Sequence, residues 1–243
     1  MFRLIEFKNN PKKNILLGDS RSNDFFSVFE DEKKGKWNNL SYGGASLNEV
    51  IETFWHTSKN HKLDSVLVGI NFNHFNSNNT RNWIRKTLQL SDNSISYTFS
   101  NYVFSSIIKN FKPLISKNTS INEINKDIFW EMHINNVKGK FYTNIIYPED
   151  YLNRLKEIKN YCNEKDIKLI FWIPPVHQDI HDIIYDEGHL EKYNKFVNDL
   201  SNLSIIYNFD NDIILRNSKS NFSDAMHVES RILEKAYNQI FKN

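Results

Sequence analysis

A single cysteine, Cys162, occurs in the 243 residues. An internal disulfide is therefore excluded, and no CxxC pair is available for metal binding or redox exchange. Cys162 sits in a segment patterned as a helix, where a half-buried structural thiol is expected. Glycine (7) and proline (5) are sparse. Neither a GxxxxGK[ST] phosphate loop nor a GxGxxG dinucleotide turn is present, so no nucleotide cofactor is implied. No apolar run reaches the roughly 18 residues of a membrane span. The start, Met1-Phe2-Arg3-Leu4-Ile5-Glu6-Phe7, lacks the apolar core of a signal peptide. A cytoplasmic location is the expectation for a chain that begins at this methionine. An excess of one charge is also missing: 31 basic residues face 29 acidic ones, a formal net charge of +2. Mixed runs such as Glu30-Asp31-Glu32-Lys33-Lys34 read as solvated turns, and no basic face points to nucleic acid. His177 and His181 stand four apart, but no third ligand accompanies them, so no metal is expected.

What is present suits one soluble globular domain: 40% hydrophobic and 25% charged residues. Short apolar runs alternate with helical patterns. Asn14–Gly18, Asn39–Tyr42, Asp64–Asn71, Lys168–Ile173 and Ser204–Phe209 read as strands. Helices are expected over Ser20–Phe29, Leu47–Thr57, Pro148–Asn163, Leu190–Ser201 and Glu229–Phe241. Ser46 and Glu49 stand at capping-box distance. This alternation predicts an α/β domain over 1–243, with a five-stranded parallel sheet between two helical layers. Residues 73–146 break the pattern and read as a helical insertion after the third strand, with helices near Arg81–Leu90 and Ile95–Asn110. Trp55, Phe72, Phe75, Trp83 and Phe99 read as core. Ligands in such folds bind beyond the carboxyl ends of the strands.

The polar residues at those ends are distinctive. Gly18-Asp19-Ser20-Arg21 follows the first strand, Gly43-Gly44 the second, and Gly69-Ile70-Asn71 the third. Asp224-Ala225-Met226-His227 precedes the last helix. A serine hydroxyl needs a base to become a nucleophile at neutral pH. Histidine supplies one, and a carboxylate fixes its tautomer. Asp224 and His227 are three residues apart, close enough on a turn entering a helix for the carboxylate to meet the imidazole. The oxyanion of acyl transfer needs preset donors. The Ser20 and Gly44 N–H groups and the Asn71 amide are candidates. Arg21, Asn73 and His177 are candidate substrate contacts, and Asp19 reads as structural.

These blocks, in this order, resemble the SGNH (GDSL-type) hydrolases, over nearly the whole chain apart from the 73–146 insertion. The resemblance implies a flavodoxin-like αβα sandwich. It assigns Ser20 as nucleophile, Gly44 and Asn71 as oxyanion donors, and Asp224 and His227 as the remaining triad members. The Asp that usually follows the third-block asparagine is replaced by Phe72. The Gly-Asp-Ser-Arg-Ser start and Pro174-Pro175-Val176-His177 resemble the branch that modifies bacterial surface polysaccharides. The implied activity is a serine esterase on a short acyl ester, with O-acetyl carbohydrate as substrate and no cofactor. An O-acyltransferase using the same triad, or a non-catalytic glycan- or partner-binding module, is the alternative. Oligomeric state is left open.

Overall fold

The computed structural model describes residues 2–85, 87–88 and 126–242. Five parallel strands form the central sheet: β1 (Asn14–Leu17), β2 (Trp37–Asn39), β3 (Ser65–Gly69), β4 (Lys168–Ile173) and β5 (Ile205–Asn208), in the order β2-β1-β3-β4-β5. That order reverses direction at β1/β3, the switch point where ligands bind in open α/β sheets.

The strand sequences explain why both faces are covered. Successive side chains point to opposite faces, and β1, β3, β4 and β5 carry apolar residues at both parities. Ile15, Leu17, Val66, Val68, Leu169, Phe171 and Ile173 join one core cluster. Leu16, Leu67, Ile170 and Trp172 join the other. Helices α4 (Leu47–Asn60), α6 (Glu149–Glu164) and α8 (Leu190–Leu203) supply Ile51, Phe54, Leu155, Phe196 and Leu200 to the first cluster. Helices α2 (Ser20–Ser27) and α9 (Ser230–Phe241) supply Phe25, Leu233, Tyr237 and Ile240 to the second. Each fully buried large apolar side chain contributes about 1.5–3 kcal/mol, so the two clusters hold the three layers together.

Local signals are realised where side chains can cap. Ser46 Oγ accepts from the Glu49 N–H at 3.2 Å, and the Ser46 N–H donates to Glu49 Oε2 at 2.8 Å, which fixes the start of α4. The second strand lies earlier than Asn39–Tyr42. Trp37 and Asn38 are buried against β1, yet the ladder runs on past Asn39: the Leu40 N–H donates to the Leu16 carbonyl at 2.9 Å and the Tyr42 N–H to the Gly18 carbonyl at 3.2 Å. The chain also forms helices that the sequence pattern does not predict, α1 (Phe2–Asn9) and α7 (Gln178–Asp186), and a helix, α3 (Asp31–Lys36), where the charged run reads as a solvated turn. In α3 the acidic residues fill the first turn and the lysines the last, which favours the helix dipole. Between β3 and β4 stands α5 (Lys126–Val137), continued by a π-helical turn over Lys138–Tyr142. The expected helix over 95–110 lies outside the described residues, as does Phe99. Trp83 is 69% exposed rather than core, and the face of its ring is covered by the Arg81 guanidinium at 4.0 Å.

Two glycines are required by space. A Cβ on Gly69 would stand 1.9 Å from Ser22 Oγ and 2.7 Å from Trp172 Nε1. Gly18, at φ +143°, would place a Cβ 2.2 Å from the same Ser22 Oγ. Helix α2 thus sits directly on the ends of β1 and β3, and Ser20 rides on it. Gly69→Ala is expected to lower stability by about 1–3 kcal/mol through overpacking, measured by urea unfolding. Adding Ser22→Ala is expected to recover part of that loss.

Candidate active site

Ser20 is the first residue of α2, directly after the N-cap Asp19. Its Oγ lies 2.8 Å from His227 Nε2. His227 Nδ1 lies 2.9 Å from both Asp224 carboxylate oxygens. The carboxylate requires the proton on Nδ1, which leaves the Nε2 lone pair to accept from Ser20. Asp224 and His227 face each other across a two-stranded hairpin, β6 (Phe222–Asp224) and β7 (His227–Val228), rather than on a turn entering a helix. Asp224 Oδ1 also accepts from the Met226 and His227 N–H groups, at 2.8 and 3.0 Å. Ala225 and Met226 are buried beneath. The three-residue spacing is therefore that of an Asx-type turn locked by its own aspartate. Burial pushes the Asp224 carboxyl up, but the His227 hydrogen bond and charge, the Met226 amide and the His133 charge outweigh it and hold the group below the usual carboxylate range.

Asp19 is 4% exposed. Its carboxylate accepts from the Arg21 N–H and Nε at 3.0 Å each, and pairs with Arg21 Nη2 and with His74 Nε2, the latter at 3.2 Å. Burial opposes its ionisation, yet Arg21 and His74 hold it far below the ordinary range. Arg21 Nη2 donates in turn to Asn73 Oδ1 at 3.0 Å. Because a guanidinium only donates, this bond fixes the Asn73 amide with its NH₂ as the remaining polar group.

A cavity of about 380 Å³ opens over Ser20 and His227. Gly44, Asn73, Arg21, Arg81, His133 and Lys140 are among the residues that line it. The structure thus brings together Ser20, His227, Gly44, Arg21 and Asn73 at the cavity, with Asp224 behind His227. It does not bring in Asn71 or His177. Asn71 is 3% exposed and is not part of the cavity wall, and neither polar atom of its amide has a hydrogen-bond partner among the described residues. The 3₁₀ turn Phe72–His74 that follows β3 carries Asn73 to the wall instead. His177 is a buried cap of α7: its Nδ1 accepts from the Asp179 N–H at 3.2 Å, and its ring meets Trp130 and Phe222 edge-on. Its N–H donates to the Ala225 carbonyl at 2.9 Å, which ties the β4 end to the hairpin.

Sequence reasoning missed His133, Arg81 and Lys140. His133 Nε2 stands 3.4 Å from Asp224 Oδ1. None of the three sits in a motif; only the chain fold after β3 returns them to the serine. Among the described residues no group of His, Cys, Asp and Glu is arranged to hold a metal ion. No helix among them is long and apolar enough to cross a membrane. Cys162 is buried, and burial pushes its thiol up to about 12, so it is no rival nucleophile.

No family model matches the chain, and no curated protein matches it. Solved structures similar to it include a protein provisionally described as an acylhydrolase from Bacteroides fragilis, at TM-score 0.49 and 11% identity over 96% of this chain and 88% of that one. Another is a provisionally assigned lipolytic protein of the G-D-S-L family from Desulfitobacterium hafniense, at TM-score 0.48 and 9% identity over 95% and 100%. A third is a GDSL-like lipase from Bacteroides thetaiotaomicron, at TM-score 0.44 and 11% identity over 95% and 88%.

Asp19→Asn is expected to cost about 3–5 kcal/mol of stability, because it leaves the buried Arg21 charge uncompensated. Chemical denaturation measures this directly.

Proposed function

We propose that the chain is a serine esterase of the SGNH type, acting on short-chain acyl esters, with O-acetyl groups on carbohydrate as the substrate class. The observation that carries this is the hydrogen-bonded chain Ser20 Oγ–His227 Nε2, His227 Nδ1–Asp224, at 2.8 and 2.9 Å, opening on a cavity. His227 takes the hydroxyl proton as Ser20 Oγ attacks the ester carbonyl. The C–O bond of the leaving alcohol then breaks, and that oxygen takes the proton from His227. Water, deprotonated by His227, attacks the acyl-enzyme, and Ser20 recovers its proton as the acid departs. Asp224 stays ionised throughout and stabilises the imidazolium, which its low-lying carboxyl suits.

The donors to the oxyanion are the Ser20 and Gly44 N–H groups and the Asn73 amide. Asn73 takes the place given to Asn71 by the family pattern, since Asn73 lines the cavity and its orientation is set by Arg21. Hydrolysis is favoured over transfer to a sugar hydroxyl by access: the His227 side chain is 26% exposed, so water reaches the acyl-enzyme. The asparagine-rich wall, Asn76, Asn78, Asn79 and Asn136, suits a polyhydroxylated alcohol portion.

Turnover of 4-nitrophenyl acetate tests the reading. Ser20→Ala and His227→Ala are each expected to reduce kcat/KM by at least about a thousandfold. Asn73→Ala is expected to lower kcat about 100–1,000-fold, with Asn71→Ala far milder. Equal activity in wild type and Ser20→Ala removes the reading. A larger loss in Asn71→Ala than in Asn73→Ala returns the oxyanion role to Asn71.

A further inference from the structure

The wall of the cavity is not electrically neutral. Among the described residues that line it, Asp19 is the only carboxylate, and that group is taken up by Arg21 and His74. Two further cations line the same cavity. Arg81 lies against the oxyanion loop: a Cβ on Gly44 would stand 3.2 Å from its Nη1 and 3.8 Å from its Nη2. It is held there from three sides. Its carbonyl accepts from Ser46 Oγ at 2.7 Å, its Nε faces Glu49 Oε2 at 3.7 Å, and its guanidinium covers the Trp83 ring. Glu49 is itself committed, accepting from the Ser46, Trp83 and Ile84 N–H groups. The Nη1/Nη2 fork therefore keeps its donors for another group. Lys140 lies on the same wall, exposed, its Nζ 4.9 Å from the Phe141 ring centre and facing no carboxylate among the described residues. Arg21 Nη1, deep in the wall, is buried with no acceptor among the described residues.

A preorganised guanidinium fork is suited to two oxygens of a carboxylate or phosphate, and an ammonium lining the same cavity adds a point charge. We infer that the ester taken by this cavity carries a negatively charged group, a carboxylate or phosphate, bound by Arg81 and Lys140. This rests on the esterase reading and names its substrate class. It places the charged group on the side of Gly44 towards Arg81, next to the reacting carbonyl. An arginine that only helped the oxyanion would speed charged and neutral esters alike, so the charge preference is the distinguishing property.

The test uses three acetate esters: 4-acetoxybenzoate, 4-acetoxyphenyl phosphate and the neutral methyl 4-acetoxybenzoate, each rate normalised to that ester's own alkaline hydrolysis. At least one charged ester is expected to exceed the neutral one about tenfold or more in kcat/KM, mainly through KM. The ratio is expected to shrink in Arg81→Gln, in Lys140→Gln and in about 0.5 M sodium chloride. In parallel, calorimetry on Ser20→Ala protein measures binding of benzoate and phenyl phosphate against benzyl alcohol. Anion binding there that weakens in Arg81→Gln upholds the site even if no ester is turned over, in which case the esterase reading alone falls. Ester turnover without charge preference, or a preference untouched by both substitutions, overturns the inference and leaves the esterase standing.

Discussion

The ionised carboxylate of Asp19, buried next to Ser20, organises more of this molecule than any member of the candidate triad does. It caps α2, so it sets where Ser20 begins the helix. It holds Arg21, which orients Asn73, and it holds His74, whose Nδ1 faces the Asn71 N–H at 3.4 Å. A single charge therefore couples the end of β1 to the turn after β3. Such a pair adds little net stability over an apolar alternative, because desolvation nearly cancels the attraction. Its value is geometric: it gives the serine and the asparagine amide fixed positions relative to each other.

The second constraint is close approach. Gly18 and Gly69 leave room for Ser22, and no other residue type fits those places without displacing it. Helix α2 can then lie on the sheet with Phe25 against Trp172, ring centres 4.5 Å apart. The glycines of both motifs thus act on packing beneath the site, while Gly44 acts at the site itself, at φ +70° with Arg81 beside it. On the far side, the His177 N–H and the turn locked by Asp224 bring His227 to meet Ser20. The site forms because the loops after β1 and β3, tied together by Asp19, meet the Asp224–His227 hairpin at the carboxyl ends of the strands.

The sheet was legible because β1, β3, β4 and β5 are short apolar runs at both parities, bounded by polar breaks. Four of the five lie within two residues of where the pattern puts them; β2 is offset, because Trp37 and Asn38 are buried although neither extends an apolar run. Helix α3 was not legible, since it buries no residue and gains from its terminal charges instead, while α7 is short: Ile180, Ile183 and Ile184 form its buried stripe, directly after the Pro174-Pro175 break. Ser20, His227 and Asp224 were readable as motifs. For the oxyanion amide the motif spacing names Asn71, whereas the 3₁₀ turn after β3 carries Asn73 to the cavity wall, a placement that spacing along the strand does not encode. Arg81, His133 and Lys140 carried no local signal, because only the tertiary fold sets them beside the serine.

The claim at the centre of this account is that Ser20 is an activated nucleophile. Intact mass after exposure to a small fluorophosphonate tests it without knowledge of the substrate. One adduct on the wild-type chain, absent from Ser20→Ala and formed much more slowly on His227→Ala, is the predicted result. A folded wild-type chain that takes up no adduct, or an adduct that persists in Ser20→Ala, would contradict it.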